Sequence, residues 1–237
     1  MKAMILAAGR GERMRPLTDN TPKPLLKISG IPLIEHHLRK LAEVGITDIV
    51  INLAWLGDKI VEYFQDGSSL GVNICYSWER GGALETAGGI IKALPLLCSS
   101  SSQDNNSQDE PFLVVNGDIY IDYDYQHLPQ LTDSQLAHLW LVENPAHNQQ
   151  GDFRLVGENV QNLTQLNASP TYTFSGIGLY RPSFFDEHLT ETVVPLAPLL
   201  RKAIDKQCVA GTLLSGLWTD VGTPERLKQL DKQLQEQ

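Results

Sequence analysis

Short β-branched runs alternate with helical periodicities along the first half of the chain. Met4 to Ala8 is an apolar run of strand length, and Ile34, Leu38, Leu41 and Ala42 then recur at the spacing of one helix face over 35–44. Pro32 suits a first helical turn and Gly45 a stop. Asp48 to Asn52 reads as a second strand. Ile60, Val61 and Phe64 mark a helix within 56–65, ahead of a Gly67-Ser68-Ser69 turn, and 72–77 reads as a third strand. A further helix runs from the glycine-bearing segment 79–89 to about Leu96, and Pro111 to Val115 has the continuous apolar character of a central strand. This alternation predicts an α/β fold: one doubly wound, mostly parallel mixed sheet with helices on both faces.

The second half is denser in strand signals, at 136–142, 153–156 and 172–180. A helix over 196–206, a strand over 209–214 and an amphipathic helix over 224–237 carrying Leu227, Leu230 and Leu234 follow. Residues 98–110, with four consecutive serines and Asn105-Asn106, have little to bury and read as a surface loop rather than a domain boundary. No internal repeat is found, and 237 residues fit a single domain spanning 1–237.

Composition narrows the function classes. Hydrophobic content of 42% and charged content of 20% are those of an ordinary globular protein. No apolar run approaches the ~18 residues of a membrane span, and the start lacks the order of a signal peptide, so no membrane partner and a cytoplasmic location are expected. The net charge of −9 argues against a nucleic-acid partner, which needs a broad basic face. Instead the cations gather in the first forty residues, as for neutralising a small polyanion. Three scattered cysteines indicate neither a disulfide framework nor a zinc site. His36 and His37 are adjacent, so on a helix they splay about 100° apart and cannot grip one ion.

The chemistry is concentrated where the first strand ends. Gly9-Arg10-Gly11-Glu12-Arg13 empties directly from that strand, and glycines there let successive N–H groups approach anionic oxygens. Arg10, Arg13, Arg15 and Lys23 bring cationic side chains to the same place. Pro16 follows where a dinucleotide-binding glycine motif would need a helix, and no G-K-[ST] marks a P-loop. Further on, Asn116-Gly117-Asp118 brings a carboxylate to the carboxyl edge of a central strand, where open α/β sheets collect ligands.

The run Leu6-Ala7-Ala8-Gly9-Arg10-Gly11-Glu12-Arg13-Met14-Arg15-Pro16-Leu17-Thr18, with Pro22-Lys23-Pro24-Leu25, resembles the signature of sugar-nucleotide pyrophosphorylases, L-A-A-G-x-G-x-R-x-x-P-L-T and P-K-P-L. These nucleotidyltransferases join a nucleoside triphosphate to a sugar 1-phosphate. The resemblance extends over nearly the whole chain and implies a nucleotidyltransferase (Rossmann-like) sheet, with 1–118 mainly binding nucleotide and 119–237 mainly binding sugar. It implies that Ala8, Gly9, Arg10, Gly11, Glu12, Arg13 and Lys23 bind the nucleotide. Arg13 would hold the β- and γ-phosphates, and Lys23 the α-phosphate or pyrophosphate side.

Glu79, Glu85 and Thr86 lie in a second segment, Glu79 to Gly89, whose Leu84-Glu85-Thr86-Ala87 is similar to the family's L-G-T-A against the base, with Glu85 where glycine is usual, and the resemblance implies that they bind the nucleotide. Asp118 and Asp220, in G-D and W-x-D-x-G-T contexts, are implied to hold Mg²⁺ together. The catalytic set that the resemblance implies is Arg13, Lys23, Asp118 and Asp220.

The E-K-P motif of many relatives is not found. The run V-N-G-D, G-D-F-R-L-V-G and T-F-S-G-I is instead similar to short bacterial N-acetylmuramate α-1-phosphate uridylyltransferases of cell-wall recycling, implying UTP and that sugar 1-phosphate as partners. Asn116 and Asp152 are candidates for sugar hydroxyls or the acetamido group, and Gly176 for close backbone approach. Arg154 is assigned either to the lactyl carboxylate or, by strand alternation, to solvent. Two rivals stay open at this point: the same transfer to mannose or glucose 1-phosphate or phosphocholine, and a non-catalytic nucleotide-sensing subunit. A monomer and a small homo-oligomer are equally compatible with the sequence.

Overall fold

The structure, a computed structural model, describes residues 1–98, 109–163, 170–187 and 193–236. The first half follows the expected alternation: β1 (Ala3–Leu6), α1 (Leu33–Glu43), β4 (Asp48–Leu53), α2 (Gly57–Phe64), β5 (Asn73–Trp78), α3 (Glu85–Leu97) and β6 (Phe112–Asn116). A short hairpin of β2 (Lys27–Ile28) and β3 (Ile31–Pro32) precedes α1, so Pro32 caps that helix from outside. The second half holds β7 (Ile119–Ile121), β8 (Ala137–Val142), β9 (Phe153–Val156), β10 (Asn159–Asn162), β11 (Thr171–Tyr180), α4 (Leu196–Asp205), β12 (Val209–Leu213), β13 (Trp218–Asp220) and α5 (Pro224–Gln235). Most of the Ser/Asn-rich stretch expected as a loop lies outside the described residues.

One nine-stranded sheet runs in the order β5-β4-β1-β6-β11-β8-β12-β10-β9. The β5-β4-β1-β6 block is parallel throughout, as crossover helices require. From β6 onward the sheet is mixed: β11 runs antiparallel to both β6 and β8, β12 is parallel to β8, and β9 and β10 form an antiparallel edge. The strand-rich second half therefore adds antiparallel strands to a parallel nucleus.

Strand alternation explains the two layers. Ala3, Ile5, Leu113, Val115, Ile177 and Leu179 face α1 and α2, whose Ile34, Leu38, Leu41, Ile60 and Phe64 close one core. Met4, Phe112, Val114, Leu139 and Leu141 face the other way, onto Ile90, Ile91 and Leu97 of α3 and Leu200 and Ile204 of α4. His37 is buried on α1, with Nε2 2.8 Å from the Ile119 carbonyl, while His36 Nε2 lies 3.3 Å from that of Ile28. The two rings thus part company, as their adjacency on a helix predicts.

A third, smaller cluster joins Met14 of the glycine loop to Ile28, Leu33, Val221 and Leu230. It seats α5 beneath the loop at the carboxyl edge of the sheet. Among the described residues no helix is long and apolar enough to cross a membrane.

Candidate active site

Where β1 stops, the loop turns on Gly11, at φ 68°. A Cβ there would stand 3.1 Å from the Thr18 methyl and 3.2 Å from Lys23 Cβ, so this glycine answers both a left-handed backbone and a tight approach. The Thr18 hydroxyl donates to the Gly11 carbonyl at 2.8 Å, and a single 3-10 turn follows over Glu12–Met14. Gly9, by contrast, has nothing within 4 Å of its would-be Cβ and faces open space. The loop is therefore braced at one glycine and bare at the other.

A cavity of about 390 Å³ opens above it. Ala8, Gly9, Gly11, Glu12, Arg13 and Lys23 line it from the loop, Glu79, Glu85 and Thr86 from the second loop, and Asn116 and Asp118 from the end of β6. Residues proposed from three distant stretches thus share one hollow. Arg10 does not line it; its guanidinium lies 3.9 Å over the Trp55 ring and pairs with Glu12, facing a neighbouring groove.

A ladder that sequence reading did not anticipate brings the backbones of Asp118 and Asp220 side by side, although Asp220, unlike Asp118, is not among the residues lining the cavity. β13 pairs antiparallel with β7, setting Asp220 opposite Ile119, and the Val221 N–H donates to the Asp118 carbonyl at 2.9 Å. Lys23, buried to 7% exposure, reaches Asp118 with Nζ 2.5 Å from Oδ2. Asp220 forms an ion pair with Arg226 of α5, and His147 Nε2 lies 3.0 Å from Asp220 Oδ1. Each carboxylate thus faces a cation from a different part of the chain. Gly117, between Asn116 and Asp118, donates to the Leu6 carbonyl; a Cβ there would fall 2.7 Å from that oxygen, so β6 can end against β1 only with glycine.

The second loop is pinned from below. Asn52 at the end of β4 accepts from the Ala7 N–H at 2.7 Å and donates to Glu79 Oε1 at 2.7 Å, while Glu79 Oε2 accepts from the Leu84 N–H at 2.8 Å. Both side chains are about 3% exposed. Glu79, assigned from sequence to the nucleotide, thus has both carboxyl oxygens engaged by the protein and links the two loops. Glu85 adopts φ 62°, a left-handed conformation natural to glycine.

On the far side, β11 shifts register between Phe174 and Gly178. Gly176 sits in that irregularity at φ 86°, and a Cβ there would stand 2.7 Å from Asn116 Nδ2. Trp218 Nε1 donates to the Ser175 carbonyl at 2.8 Å, tying β13 to the same bulge. Gly176 therefore lets Asn116 approach, while Asn116 lines the cavity. Asp152 accepts from the Phe174 N–H at 2.9 Å and from Asn148, holding the 143–152 segment to β11, and does not line the cavity. Arg154 is buried at 7% exposure, so the solvent alternative drawn from strand alternation does not hold; its strand is paired along both edges there, with β10 and with β11. Asn52, His147 and Arg226 escaped sequence reading, because a lone polar residue at a strand end, in a loop or in a helix's first turn has no spacing signature.

A family model described as nucleotidyl transferase matches residues 2–237. The chain belongs to that family. It is 52% identical over 233 residues to N-acetylmuramate alpha-1-phosphate uridylyltransferase of Neisseria meningitidis serogroup B, covering 97% of this chain and 96% of that one. The Caulobacter vibrioides protein of the same name is 29% identical, covering 94% and 92% of the two chains. Among solved structures, a putative glucose-1-phosphate thymidylyltransferase from Bacillus anthracis superposes with a TM-score of 0.80 at 22% identity, over 100% of this chain and 96% of that one. That likeness speaks for the nucleotidyltransferase fold: a mixed sheet clad with helices.

Proposed function

We propose that this nucleotidyltransferase joins UTP to N-acetylmuramate α-1-phosphate, giving the UDP-sugar and pyrophosphate, in the cytoplasm and in the service of cell-wall recycling. The observation that carries the choice of acceptor and base is the 52% identity, over nearly the full length of both chains, to the meningococcal enzyme of that name. An oxygen of the sugar phosphate attacks the α-phosphorus, the bond to the β-phosphate oxygen breaks, and the electron pair leaves with pyrophosphate. The acceptor is already ionised at neutral pH, so no general base is required, and catalysis rests on positioning and charge.

The donor set suits Mg²⁺. Asp118, in the turn between β6 and β7, and Asp220, on β13, offer only oxygens, and a divalent ion would take the place of the cations, Lys23 and Arg226, with which they now pair. When bound, the ion neutralises phosphate charge and orients the α-phosphate. The chain's own residues do the rest. The N–H groups at Gly9 to Gly11 cradle the triphosphate, Arg13 and Lys23 balance its charge, and the 84–86 backbone packs on the base. We assign 1–118 mainly to the nucleotide and 119–237 mainly to the sugar, with Asn116 and the Gly176 bulge at the junction.

Incubation with UTP, Mg²⁺ and N-acetylmuramate 1-phosphate, followed by mass identification of the product, tests this directly; preference for another sugar 1-phosphate or base would refute the assignment. Asp118→Asn and Asp220→Asn are each expected to lower kcat by at least about a hundredfold with unchanged circular dichroism. Near-normal turnover in either variant would remove the metal role.

A further inference from the structure

Asp220 is held by two groups of the second half of the chain. Arg226, only 17% exposed, makes an ion pair with it, and His147 Nε2 lies 3.0 Å from both Asp220 Oδ1 and the Arg226 guanidinium. The arrangement is built rather than incidental. Thr223 caps α5 by accepting from the Arg226 N–H, which fixes Arg226 in the first turn. Gly222 leaves the space that the guanidinium fills, since a Cβ there would collide with it. His147 comes from 143–152, the segment anchored to β11 through Asp152.

The first aspartate shows the complementary half: its cation, Lys23, comes from the phosphate loop. An in-line displacement requires the acceptor phosphate and the departing pyrophosphate on opposite sides of the α-phosphorus. Cations of the β1 loop serve the triphosphate, so the acceptor, a phosphate monoester with close to two negative charges, needs its own cation from the other half of the chain. A guanidinium meets that need well, because its planar fork can bind two phosphate oxygens at once.

We propose that Arg226, with His147 beside it, receives the phosphate of the acceptor sugar 1-phosphate, and that its ion pair with Asp220 is the resting position from which it is released when the carboxylate takes a metal ion. This rests on the reading of metal-dependent nucleotidyl transfer given above. The resting pair keeps Asp220 from standing as an uncompensated, partly buried charge, and places the guanidinium within a side-chain swing of the metal site.

The test compares wild type, Arg226→Ala, Arg226→Lys and His147→Gln. For Arg226→Ala the KM for N-acetylmuramate 1-phosphate should rise at least tenfold while that for UTP stays within twofold, with Arg226→Lys partly restoring it and His147→Gln giving a smaller rise of the same kind. A second readout is independent of turnover: Mn²⁺ binding without substrates, followed by electron paramagnetic resonance, should be at least as tight in Arg226→Ala as in wild type, because a competing cation has gone. Parallel rises in both KM values, or weaker Mn²⁺ binding, would overturn the proposal and make Arg226 an orienting partner of Asp220 or an anchor of α5. If wild type turns this acceptor over and the acceptor KM is unmoved in Arg226→Ala, only this inference falls. If wild type makes no UDP-sugar from it, the functional reading falls and this inference with it.

Discussion

Replacing Asn52 by alanine should cost far more than its single amide suggests. Its carbonyl accepts from the buried Ala7 N–H and its NH₂ donates to Glu79, itself about 3% exposed. Truncation strands a backbone donor, at roughly 1–3 kcal/mol, and removes a hydrogen bond to a carboxyl group, at roughly 1.5–3 kcal/mol. The expected loss is therefore about 3–5 kcal/mol. In a chain of this size each kcal/mol lowers Tm by roughly 2–4 °C, so a fall of about 10 °C is predicted.

Thermal and urea unfolding of Asn52→Ala, Glu79→Ala and the double variant close a cycle. Because each single change orphans the other's partner, the double variant should be less damaged than the sum by about 1–3 kcal/mol. Gly89 of α3 packs its backbone against the same pair, its would-be Cβ standing 2.6 Å from Glu79 Oε1, so neither side chain has slack to find a new partner. Additivity within about 0.5 kcal/mol would refute the idea that the two loops are tied through this contact.

Glu85→Gly should be neutral or stabilising by up to about 1 kcal/mol, read from urea midpoints, because it relieves a left-handed non-glycine residue; a clear loss would show that the Glu85 side chain contributes. Gly176→Ala should lose about 1–3 kcal/mol and raise the acceptor KM more than the UTP KM, since both backbone strain and Asn116 resist the methyl; equal effects on the two would argue against a place at the sugar side. Burial pushes His37 and His138 down to about 4. Their neutral forms favour the fold above the unfolded value near 6.5, and this support is lost as pH falls from there through 4. Each histidine steepens the loss by up to about 1.4 kcal/mol per pH unit. Urea titrations from pH 7.5 to 4.5 should show this decline, and His37→Gln should flatten it; an unchanged slope would exclude His37 as its source.

The parallel half of the sheet was legible because its strands and helices are local and strictly periodic: β1, β4, β5, β6 and their crossover helices fall within a residue or two of the pattern. Gly11 of the loop and Gly117 after β6 were legible because close approach dictates their residue type. Strands β7 and β13 were not, since three residues such as Trp218-Thr219-Asp220 carry no periodicity and become a strand only through their distant partner. Arg154 illustrates a different limit. Alternation tells which residues share a face, but whether that face is wet depends on what folds over it, and Arg154 is buried. The partners of Asp220 were invisible for a similar reason: His147 and Arg226 converge only after the sheet has assembled.

The β7–β13 ladder also has a temporal meaning. It joins positions separated by roughly a hundred residues, the kind of pairing whose closure comes late. As a ribosome extends the polypeptide, β1, β4, β5 and β6 emerge well before Asp220 does, whereas Val221 and Leu230, which pack on Met14 of the glycine loop, come at the very end. The packing beneath the glycine loop and the placing of the second aspartate therefore both wait for β13 and α5.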